Sequence, residues 1–296
     1  MTRLTVLVPA ATVPLVVLAA LLGPPSPDAA PTLPVPVSAA VVPPGPPSPD
    51  RPGRLRSAAV LDLGLTTANI RSGEHPMPQP DVVDDVAAVA AATPDGGALL
   101  LQEIIPARYR AAVRERFRDR EIVAIRTTSV PIVVPRGWTV RGSGHVLVHR
   151  GRPDAGPDRF VSWAVVRPGG SGTTGAVALL NTHFVHAAWN GRPDRWDPWR
   201  KDRWRAHHVV VERIVASFVA RGIPVLGGGD FNRTVRRGLR PFHPDQRWLH
   251  SDGGIDKLFW VPAGGADVSV DARDLTPLHS DHDARTVRLR LVLPTG

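Results

Sequence analysis

The chain has 296 residues, 36 Lys plus Arg against 27 Asp plus Glu for a formal charge of +9, 43% hydrophobic residues and no cysteine. That apolar fraction excludes a disordered chain, and the missing cysteines exclude a disulfide scaffold, thiolate zinc, a Cys nucleophile and an iron–sulfur centre. Lys201 and Lys257 are the only lysines; an arginine excess beside abundant Ala, Val, Pro and Gly fits both a GC-rich genome and a polyanionic partner.

Leu4–Gly23 reads LTVLVPAATVPLVVLAALLG, uncharged after Arg3. About 20 apolar residues can span a bilayer as a helix, and a basic tip before an apolar run also opens a signal peptide. Pro9 and Pro14 would distort a spanning helix, while the small residues Ser38-Ala39-Ala40 lie far from the apolar run. Residues 1–23 are expected to be an export signal or a membrane anchor, which puts the remainder outside the cytoplasm, secreted or tethered. Twelve of the 32 prolines fall between Pro24 and Pro52, so residues 24–54 are expected to be an extended Pro-rich linker. Residues 55–296 suffice for a single α/β domain.

In that domain Ser57–Ile70 reads as a strand, Asp81–Ala92 as a helix with an acidic first turn, Ala98–Leu101 as a short strand and Ala107–Arg118 as an amphipathic helix. Strands are expected over Ile122–Ser129, His145–His149, Phe160–Val166 and Ala176–Asn181, with a hairpin loop at Gly169–Gly175. Arg205–Ala220 follows as a helix with Val209, Ile214, Val215 and Phe218 on its apolar face, then strands at Ile223–Leu226, Lys257–Val261 and Arg285–Val292. Strands interleaved with few helices indicate an α/β domain.

Acids, amides and histidines stand at the ends of these strands. Asn69 ends the first, and Gln102-Glu103 the second. Asn181-Thr182-His183 and Gly229-Asp230-Phe231-Asn232 close two more. Asp256 opens another, and Ser280-Asp281-His282 precedes the last. A single Asn or Asp there is a turn former, but ligands bind beyond strand ends in α/β sheets, where such groups converge.

In order and spacing these words resemble the endonuclease/exonuclease/phosphatase superfamily, over roughly residues 55–293. The resemblance implies a four-layer α/β sandwich, two packed mixed β-sheets flanked by helices, and divalent-metal-dependent phosphoester hydrolysis. It implies that Asn69, Glu103 and Asp281 hold Mg2+ or Mn2+, hard ions that prefer oxygen ligands. Asp230 would deprotonate the attacking water and Asn232 would hydrogen-bond a phosphate oxygen. His282, oriented by Asp256, would contact the scissile phosphate, and His183 would bind phosphate or protonate the leaving group. The chain departs from the family in two ways. Its one tyrosine, Tyr109, stands in a helix, and no acid on the middle strand partners His183, where His145 and Arg150 are the polar candidates. Zinc at His183/His186 or His279/His282 is a weaker reading, because strand and loop spacing does not enforce one-sided presentation.

His186–His208 holds four of the eight tryptophans and six cations against three anions. Trp189, Arg192, Trp196 and, after GDFN, Arg233 are the candidate substrate-binding residues. Such a segment fits stacking on nucleic acid, contact with anionic phospholipid, or plain packing of a long loop. An exported or tethered nuclease is the leading expectation. A phospholipid or phosphoinositide phosphatase, or a sphingomyelinase-like phosphodiesterase, is the alternative, and an inactive binding domain the third.

Overall fold

Alternating burial along the outer half of Ala58–Asn69 gives way to a fully buried inner half, as expected of a strand that runs from a solvated edge into a core covered on both faces. The computed structural model describes residues 58–294 apart from 72–76, 95, 154–155, 170–174, 190–196 and 251–252. The expected N-terminal segment and linker lie outside the described residues, as does most of the 169–175 loop. Among the described residues no helix is long and apolar enough to cross a membrane.

The elements are β1 Ala58–Asn69, α1 Gln79–Ala92, β2 Ala98–Gln102, α2 Ala107–Arg116, β3 Ile122–Val123, β4 Ile132–Val133, β5 Thr139–His149, β6 Arg159–Arg167 and β7 Val177–His183. Then follow α3 Pro198–Val219, β8 Val225–Asp230, β9 Arg247–His250, β10 Asp256–Val261, β11 Asp267–Thr276 and β12 Ala284–Pro294. They form two six-stranded sheets, ordered β11-β12-β1-β2-β4-β3 and β5-β6-β7-β8-β10-β9. Each sheet has one parallel pair, β1/β2 and β7/β8. A parallel pair needs a crossover, and α1 and α3 supply them. The sheets therefore repeat one pattern of strand directions, and in each the parallel partners end side by side: Asn69 opposite Gln102, His183 opposite Asp230.

Three apolar clusters glue four layers. Leu65, Leu100, Leu179, Leu226, Leu258, Trp260 and Leu289 pack residues of both sheets together. Phe184, Val211, Val215, Phe218 and Phe259 join α3 to the second sheet, and Val82, Val86, Leu99, Tyr109 and Val113 join α1 and α2 to the first. Full burial of one such side chain contributes about 1.5–3 kcal/mol. The α/β sandwich of two mixed sheets flanked by helices is the architecture that the sequence led us to expect.

Several local expectations differ. The strand expected over 122–129 ends at Val123, where Ala124 takes φ 62° and turns the chain. β4, β9 and β11 were not expected; β4 has two residues and β9 four, too few for an alternation to show. Helix α3 starts at Pro198, seven residues ahead of the expectation, because Asp197 caps it by accepting from the Trp199 amide at 2.9 Å and proline suits a first turn. Its buried face is Trp204, His207, His208, Val211, Val215 and Phe218, recurring at helical spacing, and Val209 points to solvent at 41% exposure.

The run Gly227-Gly228-Gly229 is explained by close approach. A Cβ would stand 2.3 Å from the Phe259 ring at 227, 2.6 Å from Leu258 at 228 and 1.9 Å from the Thr182 carbonyl at 229, where φ is 143°. Only glycine lets β8 lie this close to its neighbours while Asp230 stays level with His183.

Candidate active site

The ends of the two parallel pairs meet across the sandwich. The Asn69 amide Nδ2 donates to Asp230 Oδ2 at 3.1 Å and to Glu103 Oε1 at 3.4 Å. His183 Nε2 lies 3.4 Å from Asp230 Oδ2 and 3.9 Å from Glu103 Oε1. His282 Nδ1 bonds Asp256 Oδ2 at 2.8 Å, and its Nε2 stands 3.9 Å from Asp230 Oδ2. Asp230 is the hub, facing β1, β7 and the loop before β12, and β10 brings Asp256 level with it by register.

Backbone geometry fixes the hub. Asn232 sits at φ 50°, its amide N–H donates to Asp230 Oδ1 at 2.8 Å and its side chain to the Phe184 carbonyl at 3.1 Å. Glu103 holds φ 62°, a left-handed conformation that costs a non-glycine residue about 1–2 kcal/mol and aims its carboxylate back at Asn69. The loop carrying His282 is tied down at both ends. Asp85 of α1 accepts from the His279 and Ser280 amides at 2.6 and 3.0 Å, and Ser280 Oγ donates to the Asn69 carbonyl at 2.7 Å.

Burial sets the protonation states. The Asp230 carboxyl is pushed up, first by desolvation and then by the charge of Asp256, against the pull of His282, the Asn232 amide and Asn69. For His282 burial works downward, but the Asp256 bond and the charges of Asp230, Asp256 and Asp281 outweigh it and lift the imidazole to about 10. His282 is therefore a cation at neutral pH, between two carboxylates. His183 falls well below the ordinary histidine value through burial and the charge of Arg159.

Arg159 is the residue that the sequence did not reveal. It opens β6, is buried at 3% exposure, and places Nη1 3.1 Å from His183 Nδ1. A guanidinium only donates. Nδ1 must then accept, which assigns the neutral tautomer with the proton on Nε2, facing Asp230. No acid orients His183 on this side; a cation does.

Comparison with solved structures finds similar folds. An endonuclease/exonuclease/phosphatase protein from Bacteroides vulgatus matches with 15% identity and TM-score 0.57, over 77% of this chain and 98% of that one. TDP2 from D. rerio, complexed with single strand DNA product, matches with 14% identity and TM-score 0.56, over 77% and 98%. A mannosyl-6-phosphatase from Bacteroides thetaiotaomicron matches with 12% identity and TM-score 0.53, over 77% and 99%. The chain has the deoxyribonuclease-I-like fold. No family model and no curated protein matches it.

On this deoxyribonuclease-I-like frame the expected residues fall into four groups. Asn69, Glu103, His183, Asp230, Asn232, Asp256 and His282 converge, as described. Asp281 stands at the rim, half exposed, with its carboxylate 3.4 Å from Arg71 and 3.9 Å from His282 Nε2. Trp189 and Arg233 pack beside the site, and Arg192 and Trp196 lie outside the described residues. The alternatives on the middle strand do not join it. His145 and Arg150 are exposed, Arg150 pairing with Asp158 at 3.0 Å, and Tyr109 is buried under α1 with its hydroxyl on the Met77 carbonyl at 2.5 Å.

The donor set fits a hard divalent cation. Glu103 and Asp230 supply carboxylate oxygens, and the Asn69 amide oxygen, which here accepts from the Arg71 amide at 3.1 Å, is the third oxygen at hand. Three acids, Glu103, Asp230 and Asp256, gather at one centre where burial and then the charge of Asp256 raise Asp230, and Asp256 Oδ1 is buried with no hydrogen-bond partner among the described residues. Asp230, Asp256 and His282 have ligand atoms within 4.8 Å of one another. Of these, His282 already spends Nδ1 on Asp256 Oδ2 at 2.8 Å.

Proposed function

We propose that this chain is a divalent-metal-dependent phosphodiesterase, an exported or membrane-tethered nuclease. The observation that carries the reading is the convergence on Asp230 of Asn69, Glu103, His183 and the His282–Asp256 pair, at the ends of both parallel strand pairs. In the same fold, one of the matched structures is complexed with DNA and another is called a phosphatase, which supports phosphoester chemistry in general.

Glu103 and Asn69, with Asp281 at the rim, would hold Mg2+ or Mn2+, which neutralises charge on the phosphoryl oxygens. Asp230 accepts the proton of the attacking water through Oδ2, and Asn232 and Asn69 aim that carboxylate. His282, cationic and fixed by Asp256, faces the same spot with a proton to give, so it stabilises the phosphorane charge and protonates the departing oxygen. His183 contributes a hydrogen bond from Nε2–H. Being neutral and held by Arg159 at Nδ1, it has no second proton to release, so the acid role considered for it passes to His282.

The deciding experiment is a substrate panel: plasmid DNA, RNA, sphingomyelin, phosphoinositides and sugar phosphates, each with Mg2+, with Mn2+ and with chelator. The expected result is nucleic-acid cleavage that chelator abolishes and that His282→Ala lowers by about 10²–10⁴. Turnover of lipid or sugar phosphates alone sinks the nuclease reading. Undiminished activity in excess chelator or in His282→Ala sinks the mechanism.

A further inference from the structure

The faces that the two sheets turn toward each other change character one pleat before the site. Leu65 of β1, Leu100 of β2, Ala164 of β6 and Leu179 of β7 belong to the apolar cluster between the sheets. A strand returns a side chain to the same face at every second residue. One such step nearer the site stand Thr67, Gln102, Ser162 and Asn181. All four are polar and all four are wholly buried.

Asn181 belongs to the second sheet but spends its amide on the first. Its Nδ2 donates to the Leu101 and Pro131 carbonyls at 2.7 and 2.8 Å, and its Oδ1 accepts from Gln102 Nε2 at 2.7 Å. Carbonyls only accept, which fixes the orientation of the amide. Gln102 Nε2 also donates to the Leu100 carbonyl at 2.8 Å, and Thr67 Oγ1 stands 3.1 Å from that nitrogen and 3.4 Å from Oε1. Apolar packing is non-directional and does not by itself fix how one sheet slides over the other. Directed bonds do, and a satisfied buried polar network specifies one packing arrangement.

The bridge lies where alignment matters. Gln102 is opposite Asn69 in register and precedes Glu103. Asn181 stands two residues, about 6.6 Å of strand, before His183, which is opposite Asp230. Contacts that assemble the site cross between the sheets at this end, Asn69 to Asp230 at 3.1 Å and Glu103 to His183 at 3.9 Å. We propose that Gln102 and Asn181 are positioning residues, whose amide bond between the sheets sets Asn69 and Glu103 level with His183 and Asp230. Being wholly buried, neither meets substrate. The role rests on the phosphodiesterase reading above. A misplacement of about 1 Å can cost about 10²-fold in rate, so loss of the bond should show in turnover and not in substrate binding.

The test compares the full chain with Gln102→Met, which keeps the length and removes the amide, and with Asn181→Leu. Val215→Ala, in the α3 layer, is the control for lowered stability alone. The double variant Gln102→Met/Asn181→Leu strands no Gln102 amide, so it should melt above Asn181→Leu and replaces it if that variant does not fold. Two readouts are taken well below each melting temperature. The first, in chelator, is an NMR signal from the sheet opposite the change: the His183 ring nitrogens for Gln102→Met, the Asn69 side-chain amide for Asn181→Leu and the double variant. The second is kcat and KM on an oligonucleotide with Mg2+. The expected result is a moved signal and kcat lowered at least about tenfold with KM little changed, while Val215→Ala shows neither. An unmoved signal, a wild-type kcat in an active protein, or a loss that Val215→Ala matches overturns the proposal. A moved signal in a protein that cleaves no phosphodiester supports the alignment role and sinks the phosphodiesterase reading instead. Cleavage with an unmoved signal does the reverse.

Discussion

Arg159→Met removes a cation from behind the site and leaves a side chain of similar length. Nη1 lies 3.1 Å from His183 Nδ1, so the guanidinium and imidazole centres are about 5 Å apart. At the effective dielectric suited to protein sites, two unit charges at that distance repel by about 3 kcal/mol. The wild-type His183 should therefore stay neutral, with Nδ1 bare and Nε2 protonated, as far into acid as the fold survives. In the variant that repulsion and the tautomer lock both go. His183 should begin to protonate at higher pH and populate the Nδ1–H form. The melting temperature serves as the folding control. The assay is imidazole nitrogen chemical shifts in 15N-labelled protein across pH, beside kcat and KM on an oligonucleotide. The expected pattern is a shifted tautomer and kcat lowered at least about tenfold with KM little changed. A wild-type His183 bearing Nδ1–H, or identical titration in both proteins, refutes the reasoning.

Three more outcomes follow from other contacts. Glu103→Gln should raise the Mg2+ concentration for half-maximal activity at least about tenfold, read from metal titration; an unshifted curve removes Glu103 from the cation site. His207 is buried, stacks on Phe184 at 4.0 Å, holds Thr182 Oγ1 at 2.7 Å through Nε2, and is lowered well below the ordinary value by burial and neighbouring His149, Arg159 and His208. The unfolded chain takes up its proton below about pH 6.5 and the folded one does not, so stability falls as pH drops. His207→Asn should flatten the acid limb of stability by up to about 1.4 kcal/mol per pH unit, measured by urea unfolding at pH 7.5 and 5.5; equal slopes would contradict a neutral His207. Gly227→Ala drives a methyl into the Phe259 ring, 2.3 Å away. It should cost about 1–3 kcal/mol and lower the melting temperature by several degrees, and a stable variant would show that β8 can move aside.

Much of the site could be read because it is local in sequence. Asn69, Glu103, His183 and Asp230 each follow a short apolar run, and parallel strands joined by a crossover must end on the same side, so their residues converge whatever the loops do. The pairing of His282 with Asp256 came from the family resemblance, since nothing in their order by itself brings them together. What remained hidden depends on partners distant in the chain. Arg159 looks like any arginine that opens a strand; only the pairing of β6 with β7, which sets Val161 opposite Thr182, brings it to His183. The two-residue strand β4 carries no period, yet it sits between β2 and β3 and completes the sheet. The aromatic segment read as a loop is half helix, because a single cap at Asp197 outweighs the tryptophans beyond it.

The sequence by itself determined the residue types: oxygen donors without thiols, histidines beside acids, and arginines next to GDFN. Those types fit hard-cation and phosphate chemistry. The tertiary structure decided what each group can do there. Burial raises Asp230 and Asp256 helps charge His282, while burial and then Arg159 oppose a second proton on His183. Protonation depends on desolvation and on charges a few ångströms away, and those distances exist only once the two sheets are packed.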